Sequence, residues 1–176
     1  MFSSSSLTAA AATPSVEVWE SPIGSICIIA TDRGIRRIEF LDALPERPAH
    51  GECSDATGQR HVARAKEQLA EYFASERRIF DLPLDLPGTP FQRSVWDCVR
   101  RVPYGQTISY RALAAAAARP AAIRAAGAAN GANPIAIVIP CHRIIGSNGS
   151  LTGYAGGLAR KRYLLDLEAN PTSVAV

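Results

Sequence analysis

Cysteine is scarce in this chain of 176 residues: Cys27, Cys53, Cys98 and Cys141 are far apart, with no Cys-x-x-Cys pair and no Cys/His cluster at metal-ligand spacing. That excludes a structural zinc site, so no metal is expected, and it argues against a secreted disulfide framework. A reducing compartment follows. Long apolar runs are missing too. The longest uncharged stretch, 125–141, is interrupted by Asn130, Gly131, Asn133, Pro134 and Pro140, which excludes a membrane span. The first sixteen residues are rich in Ser and Ala and have neither a basic n-region nor a long apolar core, so they do not read as a secretory signal. Residues 1–15 are expected to be a disordered tail and 171–176 a flexible one. Acidic residues are few in the second half: ten basic and three acidic residues lie from Pro90 onward, against nine and thirteen before it. Such a field suits a polyanion such as nucleic acid, although a solvated basic face has the same composition.

The most informative stretch is Pro140-Cys141-His142-Arg143, which closes the apolar run 135–139. Five apolar residues bounded by Asn133-Pro134 and Pro140 read as a buried strand, because proline cannot donate to a ladder. The pattern therefore predicts a thiol held rigidly at a strand end, next to an imidazole able to lower its proton affinity. A cysteine considered alone is as readily a small buried hydrophobe. Downstream, Gly146-Ser147-Asn148-Gly149-Ser150 and Gly153-Tyr154-Ala155-Gly156-Gly157 form a loop able to bring backbone close to a ligand, or a flexible surface loop.

Residues 16–40 alternate apolar and polar positions around Pro22-Ile23-Gly24 and Asp32-Arg33-Gly34, which predicts two or three antiparallel strands. Residues 62–75 read as an amphipathic helix with Val62, Ala65, Leu69 and Tyr72 or Phe73 on one stripe. The Pro-rich connection 81–90 coincides with the charge reversal, and a domain boundary is placed there, giving units at 16–88 and 89–170. Thr89-Pro90 starts a helix whose apolar face carries Phe91, Val95, Cys98 and Val99 and which stops before Pro103. Ser109 caps a helix over 110–117, and Pro120 opens another reaching about Ala129. Joined by the Ala118-Arg119 turn, these two read as a helix-turn-helix or as an ordinary packed pair. The last helix is lined by Ala121, Ala122, Ala125 and Ala126, a surface other backbones can approach, and Arg124 in its middle is hard to bury unpaired.

The stretch Ile137-Val138-Ile139-Pro140-Cys141-His142-Arg143-Ile144-Ile145, followed by Gly153-Tyr154-Ala155-Gly156-Gly157-Leu158, resembles the O6-alkylguanine-DNA alkyltransferases. The similarity continues through Gly105, Ser109-Tyr110, Arg124, Asn133-Pro134, Lys161, Leu164-Leu165 and Glu168, and more weakly at Ser21-Pro22-Ile23-Gly24-Ser25. It implies an α/β protein: a small ribonuclease-H-like N-terminal α/β domain, then a mainly helical, winged-helix-like C-terminal domain containing the helix-turn-helix. It implies irreversible, single-use transfer of the alkyl group from O6-alkylguanine in double-stranded DNA, and from O4-alkylthymine, to Cys141. His142 is then the base acting through a bound water, Glu168 its orienting partner, Tyr110 the donor to guanine N3, Lys161 a basic residue near the thiol, and Asn133 the brace of the turn. The Cys141 and Ile144 carbonyls and the Ala155 N–H would read the guanine edge, with Tyr154 and Gly156 beside them. Many family members carry Ser where Ala155 stands, so a hydroxyl contribution is absent here. Arg124 would fill the space of the extruded nucleotide, on a minor-groove surface of Ala121, Ala122 and Ala125, with Ser109 also at the DNA. No cofactor, membrane or obligate protein partner is implied, and a cytoplasmic monomer is expected, nucleoid-associated in a prokaryote. Three other classes compete: a lesion sensor without transfer, a helix-turn-helix regulator and a thiol hydrolase. Cys141 disfavours the first, and no oxyanion-hole arrangement supports the last.

Overall fold

Three strands open the chain: β1 (Ser15–Ser21), β2 (Gly24–Thr31) and β3 (Gly34–Phe40) form an antiparallel sheet in the order β1-β2-β3. The computed structural model describes residues 13–42 and 56–170. The two connections, Pro22-Ile23 and Asp32-Arg33, are two-residue loops at the turns expected around Pro22-Ile23-Gly24 and Asp32-Arg33-Gly34. Ile26, Ile28, Ala30, Ile35 and Ile38 are buried, and α1 (Ala56–Phe73) covers them with Val62, Ala65, Leu69, Tyr72 and Phe73. The sequence pattern placed this helix six residues later. The expected tail at 1–15 needs correction at its end, because Ser15 pairs with Ala30 and is buried. Residues 1–12, the tail at 171–176 and Cys53 lie outside the described residues.

The second half is helical, completing the α/β class expected from the sequence. Helix α2 (Pro90–Arg100) begins with a reciprocal cap in which the Thr89 hydroxyl accepts from Gln92 N and the Gln92 carboxamide oxygen accepts from Thr89 N. Ser109 caps α3 (Tyr110–Ala116) by accepting from Ala112 N. Helix α4 (Ile123–Gly131) packs on α2 and α3, and the Trp96 indole donates to the Ala129 carbonyl at 2.8 Å to fix it there. Pro120 does not open α4 as expected. Arg119 O accepts from Ala122 N in a turn that starts with Ala118 at φ 55°, so Ala121 and Ala122 precede the helix. Helix α5 (Leu158–Ala169) closes the unit, and β4 (Ile108–Ser109) and β5 (Ile144–Ile145) form a short parallel pair.

The free edge of β3 pairs first with the connection 81–90 and then with the C-terminal half. Ile35 N donates to Pro83 O and Asp85 N to Ile35 O, each at 2.8 Å. Farther along, Ile38 N donates to Pro134 O and Ala136 N to Ile38 O, each at 2.9 Å. The N-terminal sheet thus anchors the segment that leads to Cys141. Among the described residues no helix is long and apolar enough to cross a membrane.

Candidate active site

The apolar run 135–139 is buried as expected, but it is not a strand. Only Ile135 bridges to β3, flanked by the bonds of Pro134 O and Ala136 N, and the chain then coils. Val138 N donates to Ala136 O at 2.8 Å across Ile137, whose φ is 70°, giving a γ-turn in its rare, strained form. Cys141 N donates to Ile139 O at 2.7 Å across Pro140, whose φ of −78° and ψ of 63° describe the inverse γ-turn. Proline suits that second turn because its ring already fixes φ. The Asn133 carboxamide fills the inside of the loop: Oδ1 accepts from Ile135 N at 3.0 Å and Nδ2 donates to Ile139 O at 2.8 Å. Two flanking prolines and five apolar residues are compatible with either shape. The coil forms because a side chain, rather than a second strand, meets the backbone groups.

Cys141 opens a 3-10 turn, Cys141–Arg143, and is a buried free thiol. Burial pushes its proton affinity up. The Asn133 side chain, the Lys161 charge and the backbone N–H groups of Cys141 and His142 pull it down without overcoming burial. The neighbouring imidazole therefore does not activate the resting thiol as the sequence suggested. His142 is itself fully buried, and burial holds its pKa below the usual value despite the Glu168 carboxylate. It is neutral and competent as a base.

His142 Nε2 donates to Glu168 Oε1 at 2.8 Å, and Nδ1 has no hydrogen-bond partner among the described residues. Glu168 also accepts from Arg143 Nε at 2.8 Å, from an Arg143 terminal nitrogen at 2.9 Å, and from Gly105 N at 3.1 Å. Although burial opposes ionisation, His142 and Arg143 together hold the Glu168 pKa at about 2. Gly105, at φ 73°, makes its contact from a left-handed backbone position that glycine favours. Arg143 was legible only as part of the motif. Its burial and its further bond to Val102 O at 2.6 Å gave no sequence signal.

Lys161 is fully buried, with Nζ donating to Ile144 O at 2.6 Å and Thr152 O at 2.9 Å; burial lowers its pKa. Tyr110 donates to the same Thr152 carbonyl at 3.1 Å, and Lys161 Nζ lies 6.0 Å from the Tyr110 ring centroid. Thr152 is thus the junction between two residues singled out from the sequence, although it belongs to neither quoted motif. The Cys141 carbonyl accepts from Ile144 N and, at 3.4 Å, from Asn130 Nδ2. Both carbonyls expected to read the guanine edge therefore already have an internal donor.

A cavity of about 300 Å³ opens over Cys141, lined by Asn133, Ala136, Tyr154, Ala155, Gly156 and, from β3, Phe40. At Gly156 an added Cβ would lie 2.6 Å from the Phe40 ring, so the loop packs against the sheet only without a side chain there. On the neighbouring surface Arg124, Ala121 and Ala125 are exposed and Ala122 is half-buried. Helix α4 passes close to Tyr110, whose ring is 3.5 Å from where a Cβ on Gly127 would sit. Ser109 is half-buried, and its hydroxyl accepts the cap hydrogen bond of α3 at the surface. Among the described residues no group of three or more His, Cys, Asp or Glu side chains is placed to hold a metal.

Residues 90–170 match the family described as 6-O-methylguanine DNA methyltransferase, DNA binding domain, and residues 16–86 match its ribonuclease-like domain. The chain is 58% identical over 153 residues to a methylated-DNA–protein-cysteine methyltransferase of Salmonella typhimurium, covering 82% of this chain and 90% of that protein. It is 47% identical over 149 residues to the protein of that name from Mycolicibacterium paratuberculosis, covering 85% and 88%. A crystal structure of Mycobacterium tuberculosis OGT in complex with DNA superposes with a TM-score of 0.77 at 41% identity, covering 88% of this chain and 92% of that one.

Proposed function

This chain belongs to the 6-O-methylguanine DNA methyltransferase family, and on that premise we propose that it repairs DNA by moving the alkyl group of O6-alkylguanine onto its own Cys141. The observation that carries this reading is the buried row Cys141, His142, Glu168. The carboxylate accepts the hydrogen bond of the Nε2–H, which fixes the tautomer of the imidazole and leaves the Nδ1 lone pair for the thiol proton. In the reaction the Sγ–carbon bond forms as the O6–carbon bond breaks, in line. The thiol proton passes to His142 Nδ1 through water, and the electron pair stays on guanine, which takes a proton at N3 from Tyr110. Tyr110 must release Thr152 O to do so. Lys161 keeps a positive charge beside the thiolate, and the Asn133 turn aims Sγ into the cavity. Ala136, Tyr154, Ala155 and Gly156 bound the space for the alkyl group, and Ile144, whose carbonyl is tied to Lys161, borders the guanine edge.

The product is a thioether without a good leaving group, so each molecule acts once, and the thiol is itself the acceptor with no cofactor called for. An O6-alkyl group lies inside the duplex and must be extruded, at a cost of a few kcal/mol. Exposed Arg124 on α4, among Ala121, Ala122 and Ala125, takes the vacated place in the stack. We read 16–88 as the supporting unit and 89–170 as the DNA-binding and transfer unit of a cytoplasmic monomer that also accepts O4-alkylthymine.

Incubation with a duplex carrying one O6-methylguanine is expected to add one methylene mass to the intact protein. The gain should map to Cys141 and be absent from Cys141→Ala. Binding without mass gain would make the protein a lesion sensor. Arg124→Ala is expected to slow transfer from duplex DNA roughly 10- to 100-fold, as a few kcal/mol of lost support for the extruded state requires. Transfer from a free O6-benzylguanine base should be unchanged, a comparison made by single-turnover kinetics on both substrates.

A further inference from the structure

Tyr72 lies in the last turn of α1, in the N-terminal unit, and its side chain is fully buried. Its hydroxyl donates to Glu168 Oε1 at 2.8 Å, the same oxygen that accepts from His142 Nε2. The ring is held on three sides, with centroids 5.5 Å from Phe73, 5.5 Å from Phe80 and 6.1 Å from Tyr104. The hydroxyl is therefore fixed on the carboxylate by packing rather than by chance rotation. Burial, followed by the Glu168 charge, keeps the phenol protonated far above its usual range, so it acts only as a donor.

We propose that Tyr72 is a positioning residue of the relay: from the other half of the molecule it holds the Glu168 carboxylate in register with His142 and limits how strongly that carboxylate draws on the imidazole. A carboxylate oxygen shared among donors offers less negative charge to each. Around His142, the charged or titratable groups are Glu168 and Lys161 from α5 and Arg143 and Cys141 from the 3-10 turn; Glu168 in turn accepts from Tyr72 of α1, and its charge reaches Tyr104 and Tyr154 without a hydrogen bond. Of these, only Tyr72 comes from the N-terminal unit. The ribonuclease-like half thus contributes a hydrogen bond to the chemistry as well as a platform for the loop.

This inference rests on the reading of His142 as the base, and its test separates the two. Tyr72→Phe keeps the ring and removes the donor. Glu168 then draws harder on His142, stabilising the imidazolium. The acid limb of the single-turnover pH–rate curve is expected to move to higher pH, by about half a unit, while the alkaline plateau stays within about twofold. The His142 imidazole ¹⁵N titration in the free protein should move in the same direction. Tyr104→Phe is the control, since that hydroxyl meets Leu167 O at 3.4 Å and not the carboxylate; it should leave both curves in place whatever it does to the urea midpoint. A ring-fluorinated tyrosine at position 72 strengthens the same donor and should move both curves the other way, which provides a reading even where Tyr72→Phe folds poorly. Unmoved His142 titrations in both variants would overturn the proposal. Shifted titrations in a protein that never alkylates Cys141 would leave the coupling standing and refute the transfer reading.

Discussion

Glu168→Gln is expected to destabilise the protein by about 3–5 kcal/mol, measured by urea unfolding at neutral pH, because it leaves the buried Arg143 guanidinium without its counter-charge. The pH dependence of stability gives an independent check. The Glu168 pKa is about 2 in the folded protein, against about 4.3 in an unfolded chain. A depressed carboxylate contributes stability that is fully present above the unfolded value and is lost as pH falls through the folded one. The difference corresponds to about 3 kcal/mol, disappearing between roughly pH 4 and pH 2. His142 acts in the same direction at higher pH. Its folded pKa lies below the ordinary imidazole value, so acidification from about pH 6.5 favours the unfolded chain, which takes up the proton more readily. In Glu168→Gln the loss between pH 4 and 2 should vanish while the His142 contribution remains. Wild-type stability that stayed flat from pH 7 to pH 2 would contradict the charge assignment. Transfer should also fall by at least about 100-fold, since the imidazole loses the partner that fixes its tautomer and orientation.

Asn133→Ala removes the carboxamide from inside the γ-turns, leaving the buried Ile135 N–H unpaired and the Ile139 carbonyl with Cys141 N as its remaining donor. One unsatisfied buried group costs about 1–3 kcal/mol and one lost hydrogen bond about 1 kcal/mol, so a loss of about 2–4 kcal/mol is expected. The thiol also loses a hydrogen bond that lowers its proton affinity, so its pKa rises further. Together with the displaced sulfur, this should slow transfer by about 100-fold or more. Asn133→Asp separates the two effects. The carboxylate keeps the acceptor for Ile135 N but loses the donor to Ile139 O and places a negative charge at the thiol. It should recover part of the stability while raising the thiol pKa more than alanine does, read from the pH dependence of iodoacetamide alkylation. Equal thiol pKa values in wild type and both variants would show that Asn133 only supports the backbone.

Much of this architecture was legible in local chemistry. Antiparallel strands turning at Pro22-Ile23 and Asp32-Arg33, the Thr89 and Ser109 caps, and buried Cys98 follow from turn residues, capping residues and periodicity, which act over a few positions, although that pattern admits two strands as readily as three. The 135–139 segment was misread for a related reason. An apolar run between prolines specifies burial, but its shape depends on what meets the backbone, and here that is the carboxamide of Asn133. The start of α4 was misplaced because Pro120 suits a first turn in isolation, whereas Ala118 at φ 55° delays the helix to Ile123.

The sequence by itself determined which reactive groups are present, Cys141 with His142 beside it and Glu168 far along the chain, because a motif carries side-chain chemistry without needing distances. Tertiary structure alone decided their states. Whether a thiol is raised or lowered, whether an imidazole is neutral, and whether a tyrosine 96 residues away from Glu168 joins the same carboxylate all depend on burial and on distances that only folding sets.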